Sequence, residues 1–253
     1  MVETFLALLT AHLIADFPLQ PAWMVQRKKK PAVLSLHIAL VAIVAILTVG
    51  AWPALLLLIL VTTHLVMDAI KVYVLRDSLL SFSIDQAVHL AVIGALAIAY
   101  PQTVSHGLWN HLPHDMQTTY FVGLCLLSGT IASLQVGSIV IRKGTAIFIR
   151  QIGDQIPGLD NGGTYIGYLE RALVMLLILM GQPAGVGFLI TAKSILRFGD
   201  VKESNQRKLT EYIIIGTFMS FGWGLLIAVL TQFGVQHWLT NVRLSSSEPL
   251  LLF

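Results

Sequence analysis

The sequence has little charge: 11% of its 253 residues are Asp, Glu, Lys or Arg, against 56% hydrophobic. A soluble domain carries about twice that share of charge, so an ordinary water-soluble globule is excluded. Cysteine occurs once, as Cys125 inside an apolar run, which rules out a disulfide framework and offers no thiolate metal site. Period-two alternation is missing, and with it the signature of barrel strands. The chain turns apolar at Val2 without a basic leader, so no secretory signal is expected. The formal charge of +3 comes from basic residues that lie mostly in the connections between apolar runs. They are topological markers, and no nucleic-acid partner is expected.

What the sequence does have is a series of apolar runs near bilayer-spanning length. Eight segments read as membrane-embedded: 2–17, 32–50, 53–75, 83–101, 119–141, 164–182, 184–198 and 209–232. Backbone groups in hydrocarbon must be satisfied within the segment, so the expected fold is an all-α, polytopic transmembrane helical bundle. The first and seventh segments are short for a full span and fit a tilted, partial or re-entrant element. The expected organisation is a four-segment half at 1–101, an outer loop at 102–118 and a second four-segment half at 119–253.

The connections alternate in charge. Arg27, Lys28, Lys29 and Lys30 follow segment one, and Arg76 follows segment three. Arg142, Lys143 and Arg150 follow segment five; Lys202, Arg207 and Lys208 follow segment seven. The other connections hold no Lys or Arg, and only Arg243 in the tail departs from the alternation. The positive-inside rule makes the basic connections cytoplasmic and puts both termini outside.

Within these apolar runs one pattern recurs. His12 and Asp16, His64 and Asp68, and, in reverse order, Asp85 and His89 are each four residues apart, on one face of a helix. With the expected orientation, all three pairs and His37 fall in the cytoplasmic leaflet, each Asp nearer the cytosol than its His. Segments one–two and three–four also resemble a parallel repeat, matching His12/Asp16 to His64/Asp68 and His37 to His89. Where segment four has Asp85, segment two has Val33. A carboxylate in hydrocarbon costs roughly 2.5–3.5 kcal/mol on insertion scales and so has a partner and a use. Imidazole with carboxylate suits a divalent transition metal, zinc first, with iron and manganese also compatible. His12, Asp16, His64, Asp68, Asp85 and His89 are the expected ligands, with His37 a ligand or catalytic proton acceptor. Seven candidates exceed the needs of one ion and leave room for two. The bland alternative is that His and Asp satisfy each other and tie the helices together.

The second half adds Glu170 and Arg171 in segment six, Lys193 and Arg197 in segment seven, and Glu211 at the start of segment eight. Arg171 is the expected catalytic cation, and Glu170, Lys193, Arg197 and Glu211 the expected substrate-binding group. The competing reading has Lys193 and Arg197 snorkelling to the interface, with Glu170 pairing one of them. Small and hydroxylated residues from Ser128 to Ser138 read as close helix packing. His106, His111, His114 and Asp115 read as a solvated loop, and 153–163 as a turn-rich connection.

AHLIADFPLQ with Trp23 after it, then THLVMD and DQAVHL, resemble an uncharacterised bacterial family of multi-pass membrane proteins, a domain of unknown function of the 3307 type. GYLERAL, AKSILRF and EYIIIGT resemble its companion C-terminal half. The resemblance implies a bacterial inner-membrane location and no particular reaction.

The expected function is a membrane-embedded, metal-dependent hydrolase acting from the cytoplasmic leaflet on an anionic lipid-linked phosphoester or acyl substrate. A bound ion would acidify its water and polarise the scissile group. A metal-ion or proton transporter is the alternative, disfavoured because 38–50, 53–61 and 90–100 are almost wholly apolar. A structural or partner-binding scaffold is the third. Orientation is directly testable. Cysteines placed beside Lys29, Lys143 and Lys202 are expected to react with an impermeant reagent only from the cytosol, and tags at both ends only from outside. A cytosolic N-terminus would move the His/Asp cluster to the opposite leaflet.

Overall fold

The computed structural model describes residues 1–152, 161–195 and 204–246, with side chains throughout except at 204–206 and 241–246. Among these residues every regular element is helical. In order they are α1 (Val2–Asp16), α2 (Ala22–Arg27), α3 (Pro31–Val49), α4 (Ala54–Tyr73), α5 (Leu79–Ala99) and α6 (His114–Ile131). α6 runs through a π-helical turn at Ala132–Val136 into α7 (Gly137–Ile152), followed by α8 (Gly162–Leu179), α9 (Ala184–Ile195) and α10 (Ser204–Ser246).

The boundaries follow local chemistry. Pro31 opens α3, where a missing N–H costs nothing. Gly50, in the left-handed region at φ 70°, closes it. Ser78 caps α5 by accepting a hydrogen bond from the Ser81 N–H at 3.1 Å.

Among the described residues six helices are long and apolar enough to cross a membrane: Pro31–Val49, Ala54–Tyr73, Leu79–Ala99, the continuous His114–Ile152, Gly162–Leu179 and Arg207–Thr240. Their outward faces are apolar, with Leu58 62% and Ile98 70% exposed, as suits contact with lipid. The chain is a polytopic helical membrane protein. The first and seventh of the eight expected segments are the short ones. α1 has 15 residues and the described part of α9 has 12, both short of the roughly 20 that a full span needs.

The chain divides into two compact units, Met1–Ser128 with Phe233 onward, and Gly129–Gln232. The division falls inside α6 and α10, not at the expected boundaries of 101 and 118. Part of the reason is visible in the first unit: Phe121 on α6 stacks on Trp238 of α10, ring centroids 4.2 Å apart. Both helix ends thus belong with the N-terminal helices.

In the first unit α1 packs on α3, α3 on α4, α4 on α5, and α5 back on α1. The result is an up-down ring of four helices, with α1 and α4 on one diagonal and α3 and α5 on the other. Leu6, Leu8, Val44, Val49, Leu56, Leu60, Ile93 and Leu96 fill the half away from the basic connections. The polar residues lie in the other half.

The loop before α6 is not simply solvated. Trp109 Nε1 donates to the Leu47 carbonyl at 2.9 Å, Leu108 N donates to the Gly50 carbonyl at 2.7 Å, and Trp109 stacks on Tyr120. A Cβ at Gly50 would sit 2.5 Å from the Trp109 ring, in a backbone conformation that side chains rarely adopt. Gly50→Ala is expected to cost roughly 1–3 kcal/mol, read as a lowered thermal midpoint of the purified protein. Gly94→Ala, whose Cβ meets nothing within 4 Å, should leave it unchanged or raised.

Candidate metal centre

The i, i+4 spacing puts His12 above Asp16 on α1, His64 above Asp68 on α4 and His89 above Asp85 on α5, while His37 lies in the second turn of α3. Because α1 and α4 end where α3 and α5 begin, all seven residues converge inside one end of the ring. Ring centroids are 4.9 Å apart for His12–His89, 4.2 Å for His64–His89 and 5.3 Å for His37–His64. The four imidazoles form one contiguous group, each at most 5% exposed.

At its base four donor atoms meet. His37 Nε2 lies 3.2 Å from His64 Nε2, 3.4 Å from Asp16 Oδ1 and 3.3 Å from Asp68 Oδ2. His64 Nε2 is 3.3 Å from Asp16 Oδ1 and 3.6 Å from Asp68 Oδ2. Ligands about 2.0–2.2 Å from a tetrahedral ion are separated by roughly 3.3–3.6 Å. The five separations lie close to that spacing. Buried polar atoms surround the group: His12 Nδ1, Asp68 Oδ1 and His89 Nε2 have no hydrogen-bond partner among the described residues. Native interiors rarely leave so many such atoms together.

Side chains outside the sequence-derived set complete the surroundings. Lys28, 5% exposed, places Nζ 2.7 Å from Asp68 Oδ2. Gln20 Nε2 lies 3.1 Å from His37 Nδ1 and 3.2 Å from His37 Nε2; with the amide turned so that its oxygen accepts from Nδ1–H, the ring keeps its Nε2 lone pair. Both residues belong to the stretch around α2 that joins α1 to α3. Lys71 pairs with Asp85, so that carboxylate, expected as a ligand, is already engaged. Gln86 Nε2 donates to Asp85 Oδ2 at 3.1 Å and its Oε1 faces His12 Nε2 at 3.2 Å. Gln20 was visible only as the last letter of a motif, and Lys28 only as one of a basic run. Lys71 carried a signal that was passed over, an ammonium inside an apolar helix.

Beside the imidazoles is a cavity of about 10 Å³, lined by His12, His64 and His89 and closed by Leu8, Val41, Leu60, Val92 and Ile93. That volume is near the least that holds one water.

Residues 4–116 match the model of a family described as a protein of unknown function (DUF3307). The ring of α1, α3, α4 and α5 lies almost wholly within the matched residues. No curated protein and no solved structure matches the chain. The DUF3307 match takes in every His and Asp of the cluster together with Gln20, Lys28, Lys71 and Gln86, and stops short of GYLERAL, AKSILRF and EYIIIGT.

The second unit, beyond the matched residues, gives the remaining candidates other occupations. Arg171 is 2% exposed, and its fork donates to the Ser133 carbonyl at 2.7 Å, the Leu134 carbonyl at 2.9 Å and Ser220 Oγ at 3.0 Å. The two carbonyls belong to the π-helical turn, whose widened ladder presents them to a side-chain donor. Trp223 Nε1 serves the next one, Ala132, at 2.9 Å. Gly137, Gly167 and Gly224 make room, since a Cβ at each would crowd Arg171 or Trp223. The expected catalytic cation is thus engaged in holding helices together. Glu170 pairs with Lys193. Glu211 pairs with Arg207 in an exposed i, i+4 contact, which removes it from any enclosed site. Arg197 and most of the 153–163 connection lie outside the described residues.

Arg171→Lys keeps the charge but cannot reach three acceptors with a planar fork. It is expected to cost roughly 2–4 kcal/mol, seen as a lower thermal midpoint, because buried carbonyls lose their donors. Retained metal content with reduced stability would distinguish this bracing role from a part in the site.

Proposed function

We propose that the protein is a metal-dependent hydrolase embedded in the bacterial inner membrane, opening to the cytoplasmic leaflet and acting on an anionic lipid-linked phosphoester or acyl bond. The observation that carries the reading is that Asp16 Oδ1 and Asp68 Oδ2 each lie 3.3–3.6 Å from both His37 Nε2 and His64 Nε2, which are themselves 3.2 Å apart. Asp16, His37 and His64 would hold a divalent ion, zinc first. Asp68, drawn toward Lys28, borders the position that a catalytic site gives to water. The ion would supply an acidified water and a polarised scissile oxygen.

The chain's own residues divide the rest of the work. Asp68 accepts the proton, Lys28 balances the negative charge of the headgroup, and Gln20 holds the His37 ring in place. Two carboxylates, one ammonium and one divalent ion leave the site one positive charge in excess, which favours an anionic ligand. Hydrolysis is preferred to transport because the apolar layer of Leu8, Val41, Leu60 and Ile93 borders the imidazoles on the side away from the basic connections. Cytoplasmic orientation rests on the basic connections, Lys28 to Lys30 among them.

Purified protein should retain at least about one transition-metal ion per chain and cleave a lipid-linked phosphoester or acyl bond in a chelator-sensitive manner. His64→Ala and Asp16→Ala should lose ion and cleavage together. Lys28→Met should keep the ion and slow cleavage at least about tenfold, the scale of one charge-assisted contact. Metal-free protein that remains folded would return the cluster to helix cross-linking. Metal or proton flux in proteoliposomes that depends on His12 and His64, without turnover of any lipid, would replace the enzyme by a transporter.

A further inference from the structure

The same cluster contains a second set of donors that the ion just described does not use. His12 and His64, Asp16 and Asp68, and His37 and His89 are separated by one constant interval in the sequence. In the ring their helices are diagonal partners, α1 with α4 and α3 with α5. A repeat about the ring axis therefore maps the set His37, His64, Asp16, Asp68 onto His89, His12, Asp68, Asp16. In the first set both carboxylates lie 3.3–3.6 Å from both imidazole nitrogens. One donor atom each from His12, Asp16 and His64 also lie within 4.8 Å of one another.

The hydrogen bonds around this second set fix which ring atoms carry protons. A carboxylate only accepts, so Gln86 must turn its NH₂ toward Asp85, where it donates at 3.1 Å. Its Oε1 then faces His12 Nε2, 3.2 Å away, so His12 donates from Nε2 and keeps its lone pair on Nδ1. His89 Nδ1 donates to the Asp85 carbonyl at 2.8 Å, which leaves the lone pair on Nε2. Both lone-pair atoms, His12 Nδ1 and His89 Nε2, are buried and without a hydrogen-bond partner among the described residues. A ring N–H held by an outer partner with the other nitrogen bare is the arrangement of metal-ligating histidines. Asp85 and Gln86, which stand where the other repeat has Val33 and Leu34, supply that arrangement on this side only. Asp16 faces both groups: Oδ1 lies 3.3 Å from His64 Nε2, and Oδ2 lies 3.7 Å from His12 Nδ1.

We infer that His12 Nδ1, His89 Nε2 and Asp16 Oδ2 close on a second divalent cation, bridged by Asp16 to the one at His37 and His64; His12 and Asp16 already lie together, and His89, its ring centroid 4.9 Å from that of His12, moves inward to join them. Asp85 is then an orienting residue and not a ligand. This rests on the metal reading above and deepens it to a two-ion centre, in which ions about 3.5–4 Å apart clamp the oxygens of a phosphoryl group. A phosphoester is thereby favoured over an acyl bond.

The test is Mn(II) titration of the chelator-stripped, detergent-purified full chain, read by bound ions per chain and by electron paramagnetic resonance. Wild type should bind two ions, with an exchange-coupled signal replacing the isolated-ion spectrum as the second position fills. His12→Gln and His89→Gln should each bind one ion and show only the isolated spectrum. Gln86→Leu leaves every ligand in place, so it guards against a folding defect; it should weaken the second ion by about 10–100-fold and the first little. One ion in wild type, undiminished in His12→Gln and His89→Gln, would overturn the second position and leave the first standing. No bound ion in folded wild type would overturn both.

Discussion

Three carboxylates inside a ring of apolar helices are the constraint from which the rest of the segment that matches DUF3307 follows. Removing a carboxylate from water costs several kcal/mol unless opposite charge and hydrogen bonds replace the lost solvent. Asp68 meets that demand with Lys28, Asp85 with Lys71 and Gln86, and Asp16 with the imidazoles of His37 and His64. The helices must therefore keep their mutual rotation and register, because a turn of one would strand a charge. The apolar half of the ring, built on Leu8, Leu56, Leu60 and Ile93, sets the helix spacing that makes these meetings possible.

The second unit solves a related problem differently. Its buried cation, Arg171, meets no carboxylate at its fork; it is neutralised by dipoles, two of them carbonyls exposed by the π-helical turn. Bracing by backbone carbonyls holds helices without creating a site for a cation, since the guanidinium already fills the space that Gly137, Gly167 and Gly224 leave. The two units thus use buried charge for different ends. One gathers lone pairs around a centre, and the other covers them.

The helical membrane fold was legible from the sequence because apolar run length is a one-dimensional quantity. The convergence of His12, His37, His64 and His89 was legible because the i, i+4 spacing and the alternating helix direction together fix depth. What escaped is whatever depends on the third dimension. Lys28 looked like one of four basic residues marking a side, and only the fold shows it entering the ring. Arg171 was assigned to chemistry because of its depth, whereas the π-helical turn that occupies it leaves no periodicity signal in Ala132–Val136. The unit boundary was missed because the pairing of Phe121 with Trp238 joins positions far apart in the chain.

Lys28 has one more consequence. It lies on the stretch between α1 and α3 beside Gln20, which touches His37, while the neighbouring Lys29 carbonyl accepts a hydrogen bond from Tyr73 Oη at 2.8 Å. Lifting that stretch separates Lys28 from Asp68 and leaves a buried carboxylate uncompensated, at about 3–5 kcal/mol. At roughly 1.4 kcal/mol per decade, the lifted form is about two to four orders of magnitude rarer than the closed one. Exchange of anything held beneath that stretch would therefore be coupled to the breaking of the Lys28–Asp68 pair as well as to its own ligands.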